Sequence, residues 1–335
     1  MIYCKKNLRR VYFSIFSIFI ICSFLVLGGC TEERWSTQEK AAENTPSFED
    51  SAYTYLQGFS ALGPRPAGTQ KETDAADWIA GKLTGFGYEV AYEPFSFEAD
   101  GESFFSENII AEKPGTGDGM IVLGAHYDSV ETGDGADDNA SGVALLLAAA
   151  EKFEKTDTPQ TLRFVFFGAE EAGFFGSSAH VEGMSEEELE STVCMMNFDS
   201  LIAGDIPYVY GNTGENGKYR GRALTLAKEK GLALVTQPGK NKEFPAGTTG
   251  DFSDHAPFKE AGIPYVYFES TNWDLGAMDG YTQTDMSLGV DGEIWHTEFD
   301  DLAYLEETFP GRAKERLATF FEVTCALLEE DLIKL

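Results

Sequence analysis

The chain reads as an α/β protein in three layers, with helices on both faces of a sheet. Two observations predict this. Short apolar runs rich in Val, Ile, Phe and Met alternate with segments of helical periodicity. Acidic or imidazole side chains follow the ends of three such runs, where open α/β sheets place their ligands. Residues 86–97 and 107–111 are expected as early strands, and residues 120–125 as a short apolar strand bounded by Gly119. Val143, Leu145, Leu146, Ala149 and Phe153 give residues 141–153 a helical pattern. Residues 162–167 form a β-rich run of the kind buried in a parallel sheet. A helix is expected from about Ala172, strands at 192–198 and 208–210, a helix at 217–230 and a strand at 232–236. Ser253 can cap a helix running through Phe258 and Ala261, followed by a strand at 264–268. Residues 302–335 are largely helical apart from a break at Pro310-Gly311, while 236–249 and 271–293 read as surface loops around a site.

The N-terminus reads as a processing signal. Lys5, Lys6, Arg9 and Arg10 precede an apolar stretch at 11–27, and Leu27-Gly28-Gly29-Cys30 resembles a bacterial lipoprotein cleavage site. Residues 1–29 are then a signal peptide, Cys30 is the lipidated first residue, 30–47 a flexible tether and 48–335 one catalytic domain. An uncleaved membrane anchor is the alternative. Either arrangement places the body outside the cytoplasmic membrane, tethered to it. Removing the four basic residues moves the formal charge from -31 to -35. Such a surface repels nucleic acid, which is excluded as a partner. Cys194 and Cys325 sit among apolar residues and are expected as buried thiols rather than a disulfide.

The chemistry lies in five short segments. GAHYDSV carries His126 and Asp128, GADDNASG carries Asp137 and Asp138, and FFGAEE carries Glu170 and Glu171. NFDS carries Asp199 and IWHTEFDD carries His296. The chain has only four histidines, and two fall here. Two imidazoles with three carboxylates suffice for a pair of divalent ions, leaving one carboxylate to move protons. Asp128 can orient the second ring nitrogen of His126, although His-x-Asp is also an ordinary structural pair. Asp137 and Asp138 read either as ligands or as an acidic turn capping the helix from Ser141. In Glu170-Glu171 neighbouring side chains point in different directions, so one can bind metal while the other faces a reacting water.

The strings GAHYDS, GADDNASG, FFGAEEAGFFGS, NFD, SDHAPF and WHTEFDD, in that order between Gly124 and Asp301, resemble the two-zinc aminopeptidases of the M28 peptidases. The resemblance implies an α/β/α zinc-peptidase fold with a mixed, mostly parallel sheet. It implies two Zn²⁺ and substrates that are peptides with a free N-terminus. His126 and Asp199 would hold one ion, Glu171 and His296 the other, with Asp137 shared and a cis peptide between it and Asp138. Glu170 matches the general base, Asp128 the partner of the histidine ligand, and His255 a structural residue expected to orient loops by hydrogen bonding. His180 matches no role and is expected at the surface or half-buried. Several family members carry tyrosine immediately before the final histidine, whereas this chain has Trp295, a hydrogen-bond donor toward substrate. Trp-His-Thr also occurs in the related glutaminyl cyclases, which use one zinc. The alternative functions are therefore glutaminyl-peptide cyclotransferase and a surface lipoprotein that binds peptide or metal without catalysis.

Overall fold

In the computed structural model the described residues are 47–99, 101–285, 287 and 292–332. Cys30 and the proposed signal peptide lie outside them, as does all but Ser47 of the proposed tether. The first helix, α1 (Phe48–Ser60), starts where the Ser47 hydroxyl accepts the Asp50 amide at 3.2 Å. The second, α2 (Gln70–Phe86), is capped by Thr69 and closed by Gly87 at φ 116°, a left-handed conformation suited to glycine. Residue 86 therefore ends a helix, and the strand expected there is β1 (Val90–Ala99). It forms an antiparallel hairpin with β2 (Glu102–Lys113).

From here most expected elements are present. They run β3 (Met120–His126), α3 (Gly142–Phe153), β4 (Thr161–Phe167), α4 (Phe175–Gly183), α5 (Glu186–Ser191) and β5 (Thr192–Phe198). Then follow β6 (Ile206–Gly211), α6 (Lys218–Lys230), α7 (His255–Glu260), β7 (Tyr265–Thr271), α8 (Leu302–Thr308) and α9 (Arg312–Leu327). The strand expected at 232–236 is only a single bridge between Val235 and Tyr208. The N-cap of α7 is Asp254 rather than Ser253, whose hydroxyl is turned to Asp199 instead.

The seven strands are ordered β1-β2-β4-β3-β5-β7-β6. The inner four are parallel, while β1, β2 and β6 run antiparallel to their neighbours. The sheet is thus mixed, with a parallel centre. Alternation along β3 sorts its side chains between two faces. Ile121, Leu123 and Ala125 join a core with Leu56 of α1, Ile79 of α2, Leu146 of α3, Ala223 of α6 and Phe320 of α9. Met120 and Val122 join a second, smaller core with Phe167, Tyr265 and Phe258 of α7. Two cores on opposite faces of one sheet make the three layers. Because the parallel strands point the same way, the residues following β3, β4 and β5 gather at one edge.

Cys194 and Cys325 are both buried thiols. His180 is also buried, with Nδ1 3.0 Å from Glu93 Oε2, where a surface or half-buried position was expected. Among the described residues no helix is long and apolar enough to cross a membrane.

Candidate metal centre

His126 ends β3, Glu170 and Glu171 follow β4, and Asp199 follows β5. His296 arrives from the loop before α8. These residues form two clusters that share one carboxylate: His126, Asp138 and Asp199, and Asp138, Glu171 and His296. His126 Nε2 lies 3.1 Å from Asp138 Oδ1 and 3.3 Å from Asp199 Oδ1. His296 Nε2 lies 3.2 Å from Asp138 Oδ2 and 2.9 Å from Glu171 Oε2. Zinc bonds of about 2.0–2.1 Å set adjacent tetrahedral ligands roughly 3.3 Å apart, so these spacings fit the ion. Glu171 Oε1 is buried with no hydrogen-bond partner among the protein groups, an acceptor that suits a cation.

The shared residue is Asp138, not Asp137 as the resemblance suggested. The Asp137 carboxylate turns away: Oδ1 accepts the amides of Ile202 and Ala203 at 2.7 and 2.9 Å, and Oδ2 accepts Gln283 Nε2 at 2.7 Å. Gln283 Oε1 in turn accepts the amides of Ile294 and Trp295, so Asp137 ties the loop after β5 to the segment that presents His296. The cis peptide likewise lies between Asp138 and Asn139, one bond later than expected. Asp138 is placed by Asp300, which accepts the amides of Asp137 and Asp138 at 2.6 and 3.1 Å. Gly135 admits this turn. A Cβ there would lie 2.6 Å from Ser129 Cβ and 2.7 Å from Arg65 Nη2, and its φ is 58°.

Arg65 is fully buried over Phe59 and donates to the carbonyls of Gly63, Tyr127, Asp134 and Gly135. It binds the loops on either side of the shared aspartate. Glu72 of α2 does the same for the turn after β4, accepting from Gly68, Ser106 and Ala169. Ala169 holds φ 54°, an unusual value for a residue with a Cβ, and directly precedes Glu170. The roles of Arg65, Glu72 and Asp300 were not read from the sequence, because each depends on partners that include groups remote in the chain.

Asp128 accepts the amides of Glu170 and Glu171 at 3.0 and 3.2 Å. Its Oδ1 is 3.6 Å from His126 Nδ1, beyond a hydrogen bond. Glu170 is buried next to both clusters, with Oε2 4.0 Å from His126 Nε2. Burial pushes its carboxyl well up, with Asp254, Glu171 and Asp199 adding to the shift against His126. Asp254 is itself buried with neither oxygen bonded, a feature absent from the sequence reading. The His255 ring makes no hydrogen bond, where one orienting loops was expected. It stacks on Tyr265 and Tyr267 with centroids 4.6 and 4.9 Å away, and burial drives its pKa down to about 3.

A cavity of about 520 Å³ opens on the clusters, lined by Glu170, Asp199, Phe252, Glu269, Tyr281 and Trp295 among others. The Trp295 indole nitrogen is buried and unpaired. Two imidazole-carboxylate clusters around one shared aspartate, at the ends of parallel strands and open to a cavity, define a metallopeptidase. Residues 108–321 match Peptidase family M28, and the chain belongs to that family, with two side-chain clusters that could each hold a metal ion. It is 30% identical over 319 residues to the alkaline phosphatase isozyme conversion protein of Escherichia coli, spanning 86% of this chain and 92% of the relative. A zinc aminopeptidase from Bacillus subtilis superposes with a TM-score of 0.68 at 20% identity, over 85% of this chain and 95% of that one. Porphyromonas gingivalis glutaminyl cyclase superposes at 0.66 with 25% identity, over 84% and 98%.

Proposed function

We propose that the protein is an aminopeptidase carrying two zinc ions, held by His126, Asp138 and Asp199 on one side and by Asp138, Glu171 and His296 on the other. The observation carrying this reading is the division of Asp138. Its two oxygens face different imidazoles, as a bridging carboxylate requires. Bound zinc supplies Lewis acidity toward the scissile carbonyl and lowers the pKa of water. Glu170 takes the proton from the attacking water and returns it to the departing amine. Asp128 fixes the Glu170 and Glu171 backbone and faces the far ring nitrogen of His126. Trp295 donates its unpaired indole hydrogen to the carbonyl oxygen as charge builds there. The substrate's free amine lies against the cluster carboxylates, which limits cleavage to the first residue. The lipoprotein-like segment ending in Cys30 supports a membrane-tethered, extracytoplasmic enzyme.

The zinc-loaded protein should release free amino acids from unblocked peptides, fail on N-acetylated ones, and stop on chelation until zinc is restored. The second reading, glutaminyl-peptide cyclisation, draws on the Trp295-His296-Thr297 string and the likeness to the P. gingivalis structure. Conversion of N-terminal glutamine to pyroglutamate without peptide hydrolysis would decide for it.

A further inference from the structure

One side chain closes the turn that carries Glu170 and Glu171 at both of its ends. Asn108 of β2 is fully buried, although asparagine is a poor strand residue. Pairing between β2 and β4 ends at Ile109 and Phe166, so Asn108 stands just past the last paired position, where β4 gives way to the turn. Its Oδ1 accepts the Gly168 amide at 3.2 Å, at the entry. Its Nδ2 donates to the Gly176 carbonyl at 2.8 Å, at the exit in the first turn of α4. The same nitrogen donates to Glu93 Oε2 at 2.8 Å, across the β1–β2 pair, and His180 Nδ1 lies 3.0 Å from that oxygen. Burial works against the Glu93 charge, but His180 and Asn108 outweigh it and hold its pKa below the usual range.

The orientation of the Asn108 amide is therefore forced. A backbone N–H only donates, while a carbonyl and an ionised carboxylate only accept, so a reversed amide would lose all of these bonds. The two ends of the turn are also packed to contact. A Cβ on Gly176 would lie 2.3 Å from the Gly168 oxygen and 2.5 Å from Asn108 Oδ1, so glycine is what lets them approach. Within the turn, Asp128 holds the Glu170 and Glu171 amides, Glu72 holds that of Ala169, and the Glu170 carbonyl accepts Gly173 and Phe174 at 2.8 Å. Those bonds shape the turn, and Asn108 fixes the distance between its ends.

We infer that Asn108 is a positioning residue for the reaction, clasping Gly168 to Gly176 and so setting where the Glu170 and Glu171 side chains stand against Asp138. This rests on the reading of Glu170 as the base and Glu171 as a metal ligand. Asn108 acts through backbone groups of the turn alone.

The test is Asn108→Asp, which keeps the acceptor for Gly168, removes the donor to Gly176 and sets a second carboxylate against Glu93. Asn108→Ser, too short to span both ends, is its companion. Both keep the bonds made by Asp128, Glu72 and the Glu170 carbonyl, which hold the turn together. In zinc-saturated protein, per folded molecule, kcat on an unblocked peptide should fall by about 10- to 100-fold with KM within about twofold, the scale of a 1 Å displacement at a reacting group. Zinc affinity should weaken by about 10- to 100-fold at one of the two positions, the one Glu171 completes. A loss of stability alone, with kcat, KM and zinc affinity of the folded protein unchanged, overturns the assignment. Hydrogen exchange in wild type needs no variant to fold: the Gly168 amide should be as protected as those of β4, and exchange at the rate of an open turn also overturns it. If wild type cleaves no peptide, the aminopeptidase reading fails and zinc affinity decides. A fall at one position in Asn108→Asp then supports the clasp, and no change overturns it.

Discussion

Asp300 accepts the backbone amides of both Asp137 and Asp138, so the carboxylate shared by the two clusters is held by a residue 162 positions further along the chain. Replacing Asp300 with alanine should loosen both metal positions without removing a ligand. Loss of such an outer partner typically costs about 10- to 100-fold in metal affinity. Competition with a zinc-sensitive chelator measures this, and unchanged affinity at both positions would refute it.

Asp137 and Asp138 should respond differently to the same change. Asp138→Asn should empty both positions. Asp137→Asn should keep zinc but lower stability by about 1–3 kcal/mol, the cost of weakening bonds to buried amides. Metal analysis beside urea unfolding separates the two, and the reverse pattern would restore Asp137 as the shared ligand.

Glu170→Gln preserves shape but removes the titrating group. We expect kcat to fall by about 100- to 10,000-fold with both metals retained. Loss of zinc in this variant would make Glu170 a ligand instead of a base.

Zinc loading should release protons. In the metal-free protein, hydrogen bonds to Asp138 and Glu171 outweigh burial and raise His296 to about 11. At His126 burial opposes the charge, but Glu170, Asp199, Asp128 and Asp138 outweigh it and raise its pKa well above the ordinary value. Both rings therefore hold protons at pH 7, and each ligating nitrogen must lose its own. Apparent affinity should rise with pH. Calorimetry at pH 7 in buffers of different ionisation enthalpy counts the protons; a count of zero contradicts the arrangement.

His255 predicts an acid-stability slope. Its folded pKa of about 3 lies below the unfolded value near 6.5, so the unfolded chain binds the extra proton between them. Its contribution is complete above roughly pH 6.5 and is lost as pH falls toward 3, by at most about 1.4 kcal/mol per unit. Urea midpoints at pH 7 and 5, with chelator present, should show a shallower decline in His255→Phe. Parallel slopes would contradict it.

The parallel centre of the sheet was legible because β3, β4 and β5 are apolar toward both faces. Helix α2 was not, since its buried side is mostly Ala75, Ala76 and Ala80, with only Ile79 and Leu83 to mark a period. The ligand types were legible, yet the choice between Asp137 and Asp138 was not. It is decided by Ile202, Ala203 and Gln283, whose polar groups occupy the Asp137 carboxylate from afar. Likewise the walls of the cavity depend on which strands adjoin, as β7 does β5, and sequence order alone does not state that.

The candidate ligands are spread along the chain in a definite order, with His126, Asp138, Glu171 and Asp199 all preceding His296 and Asp300 by about a hundred residues or more. The first cluster is therefore complete in sequence before the second. The carboxylate they share still lacks its backbone clamp at that stage. A chain folded only as far as Asp199 lacks His296 and Asp300, so both clusters form only once the segment between β7 and α8 is in place. For a metallopeptidase, this order ties the onset of activity to the arrival of the segment before α8, and not to the sheet edge that carries His126 and Asp199.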